Sequence, residues 1–120
     1  MALLTARDRV QLLANGDRHR RQQQTDPHVT IDFCPVVKLF TPEAGATWLL
    51  TELDPDDPDL AFRLCDLGLG FPELGYVRLT ELAAVRGRLG LPVERDVYFA
   101  PEKPLSAYAF EARLAGRITA

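Results

Sequence analysis

ELGYVRLTELAAVRGRLGLPVERDVYF, from Glu73 to Phe99, reads as a strand, a short helix, a glycine stop and a second strand, and its reading decides the fold. Tyr76 to Leu79 favours β structure, with Val77 and Leu79 on one face and Tyr76 and Arg78 on the other. One face can therefore be buried. Thr80 follows as a helix N-cap whose hydroxyl can accept an orphan amide of the first turn, with Glu81 at the positive end and Arg86 at the negative end. Leu79, Leu82, Val85 and Leu89 recur near helical spacing, so the helix should lay an apolar stripe on the sheet before Gly87 stops it. Pro92 pushes the residue before it into an extended conformation, and Val93 to Phe99 then reads as a strand. The connection from Thr80 to Pro92 sits near the roughly 10–12-residue minimum for a crossover between parallel strands, so parallel and antiparallel placement are both open.

Working outward, Thr5 reads as an N-cap with Asp8 three residues on, a shortened capping box, and the helix it opens is expected to close at Gly16. Residues 17–27, with Arg18, His19, Arg20 and Arg21 followed by three glutamines, carry no apolar period and are predicted to form an exposed linker. Val29, Ile31 and Phe33 alternate with polar residues as a first strand candidate, and Pro35 forces an edge, bend or break before Val36 to Phe40. Thr47 to Leu53 is a strand, with Trp48, Leu50 and Glu52 alternating onto one face, and Leu60 to Leu67 is another. Short turns between these runs make a meander the simplest arrangement. After Pro101 and Pro104, a last helix starts at Leu105 or Ser106 and ends at Gly116. The expected class is α+β: a small, mostly antiparallel sheet with an N-terminal helix, one short helix between strands and a C-terminal helix, in a single domain over 1–120.

At 120 residues and 47% hydrophobic content, one domain can bury roughly two-thirds of its unfolded surface without staples. Cys34 and Cys65 have no partner at metal-ligand spacing, no secretory leader is recognisable, and no apolar run approaches the ~20 residues of a membrane span. A reduced cytoplasm fits best. The net charge of −3 gives no general attraction for nucleic acid, and only the Arg18–Arg21 run is basic.

The acidic run from Asp54 to Asp59 lacks the spacing of a calcium loop and reads as a solvated hairpin turn rather than a metal site. Gly68 and Gly70 suggest a phosphate loop, but Glu73 stands where the dinucleotide fingerprint has its third glycine, and no cofactor is expected. The sharper feature is Glu94-Arg95-Asp96, because alternation with Val93 and Val97 puts Arg95 on the apolar side of its strand. A guanidinium there needs a carboxylate, such as Glu52 or Asp66, or must line a cleft that recognises a carboxylate, phosphate or polar segment of a partner. Glu94, Arg95 and Asp96, with Glu52, Trp48 and Tyr76 from neighbouring strands, form the candidate binding set. Neither His19 nor His28 stands in a hydrolase pattern, so catalysis would fall to the carboxylates of Glu52, Glu94 or Asp96, alone or with a divalent ion.

Val37-Lys38-Leu39-Phe40-Thr41-Pro42, Trp48 with Thr51-Glu52-Leu53-Asp54, Glu73-Leu74-Gly75-Tyr76 and the run from Arg86 to Phe99 together resemble the bacterial domain of unknown function 2958. The resemblance spans most of the chain in the family's order. It implies a small bacterial cytoplasmic accessory protein of plasmids and other mobile elements, and it brings no activity or catalytic residue. The leading expectation is thus an interaction module for an unidentified protein partner. A carboxylate-dependent enzyme and a nucleic-acid-binding or nucleic-acid-mimicking regulator are the alternatives.

Overall fold

A 20-residue helix, α1 (Ala6–Thr25), leads into the sheet, in a computed structural model that describes residues 3–120. Thr5 and Asp8 form the expected capping box, each side chain accepting the other's backbone amide at 3.0 Å. The helix does not stop at Gly16. It continues to Thr25, so the linker expected over 17–27 is helical for all but its last residues. Arginine and glutamine propagate a helix well. The missing apolar period has a different cause: this half of α1 is held by polar contacts. Asn15 donates to the Thr51 carbonyl at 2.9 Å, and Gln23 donates to the Val29 carbonyl at 2.7 Å. Glycine is needed at position 16 because a Cβ there would run into the Leu53 carbonyl oxygen, with Pro55 Cδ 3.3 Å away. The helix backbone passes directly against a strand.

Five strands follow: β1 (Val37–Phe40), β2 (Thr47–Asp54), β3 (Asp57–Asp66), β4 (Glu73–Arg78) and β5 (Glu94–Arg95). Their spatial order is β4-β3-β2-β1-β5, and every neighbouring pair is antiparallel. The meander from β2 to β4 forms as its spacing predicts. β5 does not join β4; it pairs with β1 at the opposite edge, so the connection through α2 (Leu79–Ala84) crosses the whole sheet. β4 is left as an open outer strand. The strand expected from Val93 to Phe99 shortens to two residues, because Asp96 accepts the Tyr98 amide at 2.9 Å and turns the chain away. Thr80 is not the N-cap of α2, which begins at Leu79; its amide and hydroxyl instead both donate to Asp59. No strand forms at Val29–Phe33. That extended segment supports α3 (Leu105–Ala115), with Asp32 accepting the Ser106 amide and Phe33 the Leu105 amide.

Both faces of the sheet are covered. One carries Val37, Leu39, Trp48, Leu50 and Leu53 beneath Leu12 of α1 and Leu79 and Leu82 of α2. The other packs Leu49 and Leu64 under Leu105, Tyr108 and Ala112 of α3. Leu12, Leu39, Leu50 and Leu53 are fully buried, and each contributes about 1.5–3 kcal/mol by leaving water. A β-bulge decides which face a key residue joins. Leu50 lies opposite Arg63 while Glu52 lies opposite Phe62, so Thr51 is the extra residue and Glu52 turns away from the face of Trp48 and Leu50. Simple alternation places Glu52 with those two; the bulge overrides it.

Candidate functional site

Arg95 lies opposite Leu39, on the face of Trp48, as its alternation predicts. Its carboxylate partner is Asp8 rather than Glu52 or Asp66: Arg95 Nε donates to Asp8 Oδ2 at 2.8 Å, and the same oxygen caps α1 through the Thr5 amide. One carboxylate thus starts a helix and neutralises a strand arginine. Among the described residues, the terminal nitrogens of Arg95 bond to nothing else, and its side chain is 31% exposed. Arg95 lines, with Arg9 and Arg86, a cleft of about 350 Å³ whose apolar wall is Leu79, Ala83 and Pro92. Arg86 also donates to the Ala83 and Val85 carbonyls, closing the end of α2. Asp59 is the acidic member of the lining.

The rest of the candidate set does not gather there. Glu94 is exposed and lies opposite Phe40, on the other face from Arg95. Asp96 is paired with Lys38 at 3.4 Å. Trp48 is buried in the core. Glu52 and Tyr76 belong to a second cleft, of about 450 Å³, bounded by α1, the segment around Asp32 and the start of α3.

There the Glu52 carboxylate lies 3.0 Å from His19 Nδ1 through both of its oxygens. Burial pushes the Glu52 carboxyl above the usual glutamate value, the His19 hydrogen bond and charge oppose that shift, and Asp54 adds to it. Tyr76 packs edge-on against Phe62, with ring centroids 5.1 Å apart. Its phenol is pushed up by burial, then by the negative charges of Glu52 and Asp54. Arg20 clamps the end of α1 to the β2–β3 turn through Asp54 at 3.3 Å and Asp56 at 2.6 Å. The acidic turn is therefore occupied by arginine, as is its far side, where Arg78 meets Asp57 at 2.9 Å. The basic run likewise makes contacts within the chain, Arg20 with that turn, Arg21 with Asp17 and Arg18 over the Phe33 ring, the last two arginines at the surface.

His19 is the site residue that linker reasoning missed. A signal was present: Leu12, Asn15, Gly16, His19 and Gln23 recur three and four residues apart, the spacing of one helix face. The stripe turns from apolar to polar where α1 leaves the core and crosses the part of β2 that β1 does not cover.

The sequence family described as a protein of unknown function, DUF2958, matches residues 3–119, nearly the whole chain. No curated protein and no solved structure matches it.

Proposed function

We propose, from the premise that the chain belongs to the DUF2958 family of proteins of unknown function, that it is a protein-binding module whose contact is the cleft of Arg9, Arg86 and Arg95. The observation that carries this reading is the unspent end of Arg95. Its Nε is fixed by Asp8, which orients the planar fork; Arg95 lines the cleft, and its remaining N–H groups have no protein acceptor among the described residues. A fixed guanidinium matches a carboxylate in two parallel hydrogen bonds, and two further arginines raise the local potential in a chain of net charge −3. The partner therefore presents an acidic segment, with an apolar residue for the Leu79–Pro92 wall. The resemblance supports a setting in the bacterial cytoplasm, on a mobile element; the partner is an unidentified protein of the host or of the element. A carboxylate enzyme is less well supported, because Glu52 and Asp96 are held by different partners and line no common cleft.

The test is a quantitative pull-down from bacterial lysate at moderate salt, comparing wild type with the Arg9→Ala/Arg86→Ala double variant and with Arg95→Lys. Both changed arginines are exposed, and the Ala83 and Val85 carbonyls that Arg86 leaves can bond to water, so the double variant should remain folded, which circular dichroism checks. A stoichiometric partner retained by wild type should fall about tenfold or more on the double variant, given ~1.5–3 kcal/mol for each charged hydrogen bond. Equal recovery on all three proteins, or no stoichiometric partner on wild type, refutes the reading.

A further inference from the structure

The second cleft has the opposite chemistry. Glu52 is a desolvated carboxylate, 12% exposed in its side chain, and among the described residues its one hydrogen-bond partner is the His19 ring nitrogen. A carboxylate offers about four acceptor sites, and His19 faces one on each oxygen, so about half of the capacity of Glu52 is unused. The free sites are flanked by Tyr76 and Phe62, whose rings both line the cleft, and Tyr76 makes no hydrogen bond through its hydroxyl among the described residues. Leu74 and Ile31 add apolar wall. Asp32 also lines the cleft, but its oxygens are taken by the amide and hydroxyl of Ser106.

We propose that this cleft binds an organic cation, an ammonium or guanidinium group on an apolar stem, with Glu52 as its counter-ion. The alternatives fit the lining less well. An anion would meet Glu52 and Asp32 and find, among the described residues, no arginine or lysine in the lining, only His19, which already faces the Glu52 carboxylate. A neutral apolar ligand would complete the desolvation of Glu52 and supply no donor to it. A cation on a short stem donates to Glu52, lies against the aromatic rings of Phe62 and Tyr76, and leaves its carbons on Leu74 and Ile31. The inference is independent of the arginine cleft, since the two clefts share no lining residue.

The full chain is titrated with benzylamine, with its neutral analogue benzyl alcohol, with agmatine and with a doubly blocked arginine amide. Binding is followed by calorimetry and by NMR shifts at His19 and Tyr76. Benzylamine should bind at least tenfold more tightly than benzyl alcohol, and Glu52→Gln should remove most of that preference. Tyr76→Leu, at a position 57% exposed, should weaken all the cations without unfolding the chain. Tighter binding of the blocked arginine than of agmatine identifies an arginine side chain of a polypeptide as the source of the cation; the reverse identifies a free amine. Equal binding of benzylamine and benzyl alcohol, or cation binding unchanged in both folded variants, overturns the proposal.

Discussion

Replacing Gly16 by alanine separates a glycine that ends a helix from one that lets a helix touch a strand. In an exposed helix interior the change is stabilising by about 1 kcal/mol, because alanine loses less backbone freedom. Here the added methyl meets the Leu53 carbonyl, with its carbon 3.0 Å away and Pro55 Cδ at 3.3 Å, and neither is a side chain that can swing aside. α1 must lift. Lifting it opens the 2.9 Å bond from Asn15 to the Thr51 carbonyl, which costs about 1–3 kcal/mol once that acceptor is buried and unpaired. Strain around the fully buried Leu12 adds about 1–3 kcal/mol of overpacking. Against the propensity gain, the net loss is about 3 kcal/mol. For 120 residues the unfolding entropy is about 0.25 kcal/mol per degree, so Tm should fall by about 12 °C. Urea denaturation and a thermal scan, both followed by circular dichroism, measure the two quantities. A Gly16→Ala protein as stable as wild type, or more stable, would refute the close approach of α1 to β2.

Asp66 is buried and accepts the Gly68 amide at 2.8 Å and the Ile118 amide at 2.9 Å, tying the strand end to the C-terminal tail. Asp66→Ala should therefore cost about 2–3 kcal/mol, with Asp66→Asn intermediate; urea midpoints within experimental error of wild type would count against this tie. Glu52 supplies a pH signature. Burial raises its folded carboxyl above the ordinary 4.5, so just above that pH the folded chain holds a proton the unfolded chain has released. The stability this lends is full below 4.5 and is lost as pH rises through the folded value. Glu52→Gln should flatten that decline; urea midpoints measured from acid to neutral pH that run parallel for the two proteins would contradict it.

Much of this fold is written locally. The Thr5–Asp8 capping box, the alternating runs of β2 and β3, and the left-handed Gly116 that ends α3 each depend on residues a few positions apart. Those features can be read from sequence because the atoms that satisfy them are near neighbours. The site is different. Arg95 signals its need for a carboxylate by its place on an apolar face, yet nothing local points to Asp8, 87 residues away. Glu52 is turned to its face by a bulge, and a bulge leaves the alternation of residue types intact. His19 lies beyond Gly16, where the residue pattern alone points to a helix end. A glycine after an apolar stripe marks a helix end and a close crossing equally well, and only the strand lying against it distinguishes the two.

Crowded beside its own copies, the protein exposes the six-residue edge of β4. A second β4 joining it antiparallel must set side chains of the same face opposite one another. Glu73 shares its face with Val77, and Arg78 shares the other with Leu74 and Tyr76. The one attractive charge pairing, Glu73 of one copy against Arg78 of the next, is therefore forbidden by the pleat. Centring the pair on Gly75 sets Glu73 against Val77, and centring it on Tyr76 sets Arg78 against Leu74. Either way a charge faces a hydrocarbon. The edge is thus a poor template for itself, which restrains sheet-by-sheet growth in concentrated solution.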